Sequence, residues 1–167
     1  YVSTANIQNV SWLYFDGNSP IAQAAILIND LTGIEDFISL NELTVKNNNL
    51  SGVLNLSNNT MLEYLYLDGN SIDSLNVSGC TVLERLECPN NSLTYLDLTQ
   101  NIQLTRIICD RNNLTELDLS QNQNLNYLSA NNNNISNINL SQCSALNFLT
   151  VEGNQLSLLD ISQNNLL

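Results

Sequence analysis

The chain has 167 residues, enough for one domain with a core of its own, and carries 4 Lys+Arg against 16 Asp+Glu with no His, a formal net charge of −12. This balance argues against nucleic-acid binding, which needs clustered cations, and disfavours an anionic membrane surface. Leu and Ile recur throughout, unlike a disordered chain, and no apolar run approaches the ~18 residues of a membrane-spanning helix.

In chain order, Tyr1 to Val10 lack the charged and apolar regions of a signal peptide. Val10-Ser-Trp-Leu-Tyr-Phe-Asp-Gly-Asn18 closely matches the later Leu62-Glu-Tyr-Leu-Tyr-Leu-Asp-Gly-Asn70, so residues 10–39 read as a divergent repeat unit within a lead-in region, 1–39. This unit carries an insertion. Its Ser19-Pro20 has the pattern of a helix N-cap followed by a first-turn proline, which predicts a short helix around Pro20 to Leu27.

From Leu40 the pattern is regular. Leu62, Leu83, Leu104, Leu125 and Leu146 are spaced by 21 residues, and the unit opening at Leu40 has 22, with its extra residue near Ser51-Gly52. Within each unit the same offsets recur. Leu83, Leu86, Cys88, Asn91, Leu93, Leu96, Leu98 and Asn101 answer to Leu104, Ile107, Cys109, Asn112, Leu114, Leu117, Leu119 and Asn122. Residues 40–167 thus hold six regular repeats, seven with the divergent one.

The period-two alternation at the head of each unit predicts a strand, and successive units stack these strands into a parallel sheet. The second half, such as Tyr95 to Thr99, predicts a short strand or extended turn on the opposite side. Asn18, Asn48, Asn70, Asn91, Asn112, Asn133 and Asn154 share one offset in all seven units. Buried amides there are expected to bond the backbone of their own and neighbouring turns. The column Asn59, Cys80, Asn101, Asn122, Cys143, Asn164 is expected to do the same on the other edge. The four cysteines fall in these columns and read as buried free thiols, the alternative being a Cys88–Cys109 disulfide, geometrically awkward between in-register neighbours.

The pattern L-x-x-L-x-L-x-x-N-x-L resembles the leucine-rich repeat family over about Val10 to Leu167. The finer form, with Cys at the sixth position and L-D-L-S-Q-N following, is similar to secreted bacterial proteins of the Bacteroidetes type. The lead-in Leu31-Thr-Gly-Ile-Glu-Asp-Phe37 is similar to that of internalin-like proteins. The resemblance implies a leucine-rich repeat solenoid with a parallel β-sheet on the concave side, short strands or extended turns on the convex side, and little helix. It also implies an extracellular or cell-surface location.

On the concave face that this family geometry defines, all four cations of the chain fall: Lys46, Arg85, Arg106 and Arg111. Six aromatics join them: Trp12, Tyr14, Tyr64, Tyr66, Tyr127 and Phe148. Six acids, among them Glu42, Glu87, Asp110 and Glu152, leave the face nearly neutral, while the other ten acids lie elsewhere with no cation. One column reads Trp12, Glu42, Tyr64, Arg85, Arg106, Tyr127, Phe148. Rigid aromatics and Arg are what recognition surfaces enrich; aromatic faces also stack on sugars, and Arg grips carboxylates. These ten cations and aromatics are the candidate ligand-binding residues, for a protein, peptide or glycan. The competing reading is that Tyr and Arg simply suit an exposed strand, with pairs of the Glu87–Arg106 kind.

Catalysis finds little support. Without His, the Ser-His-Asp and Cys-His arrangements are absent, the cysteines do not converge on a zinc site, and no phosphate-binding glycine loop is present. No catalytic residue, metal site or cofactor is expected. Asp97, Asp118 and Glu116 read as a solvated acidic strip, with a weak calcium site as the alternative. Ice binding lacks a regular Thr column. Leu167 opens a further unit, which predicts either continued chain or end-to-end self-association.

Overall fold

The computed structural model describes residues 8–18 and 27–167. The helix expected around Pro20 to Leu27 falls almost wholly outside them. The described chain is a solenoid whose main element is a seven-stranded parallel sheet, one strand per unit. Its strands are β1 (Trp12–Asp16), β2 (Glu42–Lys46), β4 (Tyr64–Tyr66), β6 (Arg85–Glu87), β7 (Arg106–Ile108), β9 (Tyr127–Ser129) and β11 (Phe148–Thr150). On the other side lie two two-stranded sheets, β3 (Ser51–Asn55) with β5 (Ser71–Asn76) and β8 (Glu116–Asp118) with β10 (Asn137–Asn139). The stretch Tyr95–Leu98 forms no strand, and Thr99 begins a turn. The β3–β5 pairing shifts register between Gly52 and Val53, where the 22-residue unit carries its extra residue.

The period of 21 explains the register. Leu43, Leu65, Leu86, Ile107 and Leu128 pair in order across the main sheet and are fully buried. Leu13 and Leu149 close the row at its ends and are half-buried. Residues on either side of each point outward, as the pleat requires. The inward residues of all units form one core, onto which Leu31, Ile34 and Phe37 of the lead-in pack. A one-turn 3-10 helix, Ile34–Asp36, is the one helical element among the described residues.

Two asparagine ladders stitch the units together, and they differ. In the first, Asn112 donates to the Cys88 and Cys109 carbonyls at 3.0 and 3.1 Å, while its Oδ1 accepts the Leu93 N–H at 3.0 Å. Asn133 repeats the scheme with Cys109, Ala130 and Leu114. Both faces of the amide are used. In the second, Asn101 donates to the Val77 and Cys80 carbonyls and Asn122 to those of Leu98 and Asn101. The Oδ1 atoms of Asn59, Asn101, Asn122 and Asn164 are buried and accept nothing within the protein. The second ladder is thus not the equivalent device that the spacing predicts, because it needs only a donor. This explains why cysteine can stand in it: the Cys80 thiol donates to the Leu56 carbonyl at 3.2 Å and Cys143 to that of Leu119 at 3.7 Å.

All four cysteines are buried free thiols. Burial pushes Cys80 and Cys88 up to about 12 and Cys143 to about 11, and raises Cys109 as well. A thiol-disulfide reagent at pH 8 is therefore expected to label none of them in the native protein and all four in urea. The native rate should be lower by at least about a hundredfold, in line with the lost thiolate.

The convex acids have structural work. Asn55, Asn76, Asp97, Asp118, Asn139 and Asp160 each accept the backbone N–H two residues on, at 2.9–3.1 Å. The Thr99 hydroxyl and N–H hold Asp97 below the usual carboxylate range, and the Ser120 N–H does the same for Asp118. Asp and Asn alternate freely along this column because an Asx turn needs only the side-chain oxygen. Among the described residues, no group of three or more His, Cys, Asp or Glu comes together that could hold a metal ion. None of their helices is long and apolar enough to cross a membrane.

Candidate functional site

The pairing places Trp12, Glu42, Tyr64, Arg85, Arg106, Tyr127 and Phe148 side by side, one per strand, in a single column across the main sheet. Tyr14 and Tyr66 occupy the parallel column two residues on, with Thr44 between them and Glu87, Ile108, Ser129 and Thr150 beyond. Lys46 ends β2. Arg111 lies apart from both columns, in the turn after β7.

At parallel-strand spacing, column neighbours meet through their side chains. The Arg106 guanidinium carbon lies 3.7 Å from the Tyr127 ring centroid. The other face of Tyr127 stacks on Phe148, with centroids 4.1 Å apart and 3° between planes. Arg106 Nε also donates to Glu87 Oε1 at 2.9 Å, the one ion pair among the described residues. Elsewhere Lys46 sits 4.9 Å from the Tyr66 ring, and Arg85 lies 5.8 Å from Tyr64. The Tyr64 hydroxyl donates to Glu84 at 3.3 Å, and Glu84 foremost holds that phenol above its usual value.

The stack corrects one expectation. Tyr127 has no free face, since a guanidinium covers one side and a ring the other. It cannot lie flat against a sugar and offers a ligand its edge and hydroxyl. The most open aromatic surface is at the other end, where Trp12 is 67% and Tyr14 58% exposed.

A polar relay beside the stack escaped sequence reasoning. Asp110 accepts the Ser129 hydroxyl at 2.8 Å and the Asn131 N–H at 2.6 Å. Asn131 Oδ1 in turn accepts the Thr150 hydroxyl at 2.6 Å and the Glu152 N–H at 2.8 Å. In these two units the acid or amide thus fixes the next unit's hydroxyl and turn. A hydroxyl two residues before a polar side chain in consecutive units was the available signal.

Solved structures carry the same architecture. The functional domain of InlJ from Listeria monocytogenes superposes with a TM-score of 0.71 at 27% identity, over 99% of this chain and 40% of that one. The internalin InlF of the same species matches with a TM-score of 0.66 at 26% identity, over 92% of this chain and 51% of that one. The chain is a leucine-rich repeat solenoid. It resembles the internalin-like proteins, and spans about half the length or less of these two chains. A Leptospira interrogans leucine-rich repeat protein shares the fold, with a TM-score of 0.70 at 24% identity, over 90% of this chain and 45% of that one. No protein-family model and no curated protein matches the chain. The InlJ domain includes a cysteine ladder. In this solenoid Cys88 and Cys109 lie at corresponding inward positions of adjacent units.

Proposed function

We propose that this leucine-rich repeat solenoid is a non-catalytic binding module of a secreted or surface-exposed bacterial protein, and that it holds a protein or peptide on its concave sheet. The observation that carries the reading is the Arg106–Tyr127–Phe148 stack, with Arg85 next to Arg106 in the same column. Stacked side chains lose little further freedom on binding, so they suit the role of rigid anchors. Edges, a phenol and a guanidinium fit peptide groups better than sugar rings. A glycan is therefore the less supported ligand, confined to the Trp12–Tyr14 end.

The test is selection of random peptides, displayed with their C-termini fused to the carrier, on the immobilised protein. Replacing Arg85, Arg106 and Tyr127 by Ala together is expected to lower the affinity of the selected peptides at least about a hundredfold, since hot-spot side chains cost ≥ 2 kcal/mol each at about 1.4 kcal/mol per tenfold. The fold should survive, because none of the three lies in the core. Retained affinity in the folded triple variant would sink the reading.

A second reading is assembly through the open side of the seventh unit. Leu159 and Ile161 are exposed there, whereas their counterparts Leu117 and Leu119 are buried. A second copy docked there would cover these side chains. Light scattering over a hundredfold concentration range tests this, and a constant monomer mass counts against self-association.

A further inference from the structure

The turn after each concave strand holds one residue in the left-handed region. In units two to seven these are Asn47 (φ 52°), Gly69 (68°), Asn90 (55°), Arg111 (53°), Asn132 (53°) and Gly153 (68°). The stack imposes this backbone. The N–H at this position donates to a carbonyl of the next unit, as in Asn90 to Asp110 at 2.9 Å, Arg111 to Asn131 at 2.8 Å and Asn132 to Glu152 at 2.7 Å. Gly takes the conformation freely and Asn tolerates it, whereas Arg has neither advantage. Arg111 is the one departure from the Gly/Asn rule.

Where Asn stands at this position, its amide can reach back to a carboxylate of the preceding unit. Asn47 Nδ2 donates to Asp16 at 3.1 Å, and Asn90 Nδ2 to Asp68 at 2.9 Å. For Arg111 the corresponding residue of the preceding unit is Pro89, which has no carboxylate. Its sequence neighbour Asp110 is already taken by Ser129 and Asn131. Among the described residues the Arg111 side chain makes no hydrogen bond or ion pair, and it is exposed.

We propose that Arg111 is a specificity-determining residue that takes an Asp or Glu side chain of the bound peptide. The ligand there supplies the carboxylate that Asp16 and Asp68 supply within the protein for two other units. Strain retained at one position of a repetitive array, with no internal partner to offset it, is a signature of function. The inference rests on the concave-face reading above.

The probe is a peptide from the selection just described, resynthesised with an amidated C-terminus so that side chains hold its only carboxylates. Its counterpart has one Glu replaced by Gln or one Asp by Asn. For the wild-type protein, neutralising the critical acid should weaken binding about tenfold, as for an exposed charge-assisted pair. For Arg111→Gly the acid and amide peptides should bind alike, both about tenfold more weakly than the acid peptide binds wild type. Arg111→Lys should keep part of the preference, and Arg111→Gly should melt no lower than wild type. Three results overturn the inference: selected peptides with no acid whose loss is felt through Arg111, an unchanged preference in Arg111→Gly, or a lowered melting midpoint in that variant. If Arg111→Gly is without effect while the Arg85, Arg106, Tyr127 triple variant loses binding, this inference alone fails. If the triple variant also binds, or no peptide is selected at all, the concave-face reading falls with it.

Discussion

Asn122→Asp is expected to lose at least about 4 kcal/mol of stability at neutral pH, while Asn122→Cys loses no more than about 1.5 kcal/mol. The two replacements are close in size, so the difference comes from hydrogen-bond direction. Asn122 is fully buried and acts only as a donor, to the Leu98 and Asn101 carbonyls at 3.3 and 3.0 Å. Its oxygen accepts nothing within the protein. A thiol keeps one donor and removes the unsatisfied oxygen, as Cys80 and Cys143 already do in the same column. A carboxylate would set negative charge against two carbonyls with no donor of its own. Urea melts would show the contrast, and pH sharpens it. Burial raises the folded-state pKa of the introduced acid above its unfolded value of about 3.9. The stability of the variant relative to wild type should therefore fall as pH rises through that raised value, and recover towards acid as the proton restores a donor. Equal deficits at pH 5 and pH 8, or a sound Asn122→Asp fold at pH 8, would contradict the donor-only role of this ladder.

At Asn112 the same replacement by Cys is expected to cost about 3 kcal/mol or more. Here the amide is bound on both sides, donating to Cys88 and Cys109 and accepting from Leu93. A thiol replaces at most one donor bond and leaves the buried Leu93 N–H facing a weak acceptor, which alone costs about 1–3 kcal/mol. Asn112→Cys and Asn122→Cys sit one half-turn apart in the same unit, so comparing their urea melts isolates the chemistry of the two ladders. Because stability in such an array passes from unit to unit, the Asn112 variant should also melt less cooperatively. Equal losses at both positions would mean that the ladders are equivalent after all.

The strand register was readable from spacing alone, because a period of 21 brings Tyr64, Arg85, Arg106 and Tyr127 into one column whatever their rotamers. The first asparagine ladder was readable for the same reason, since an amide recurring at one offset meets the same backbone groups in each of six units, from Asn48 to Asn154; Asn18, expected to join them, is exposed, because no unit precedes it among the described residues to supply the neighbouring turn. What spacing could not supply was side-chain direction. Whether Tyr127 shows its face or its edge depends on Arg106 and Phe148 competing for that face, and a column of letters does not say which wins. Likewise Asn101 and Asn112 look alike in the repeat, yet only one has an N–H facing its oxygen. The left-handed turn at Arg111 was hidden because Gly and Asn at the other units are common turn residues, and their shared backbone appears only when the units are stacked.

The central proposal is that ligands meet the concave column. Hydroxyl-radical footprinting with a selected peptide tests it most directly, because Tyr95, exposed to 58% on the convex side, provides an internal control. Saturating peptide is expected to slow oxidation of Tyr64, Tyr66, Tyr127 and Phe148 several-fold and to leave Tyr95 unchanged. Protection of Tyr95 with Tyr127 and Phe148 unaffected would contradict it.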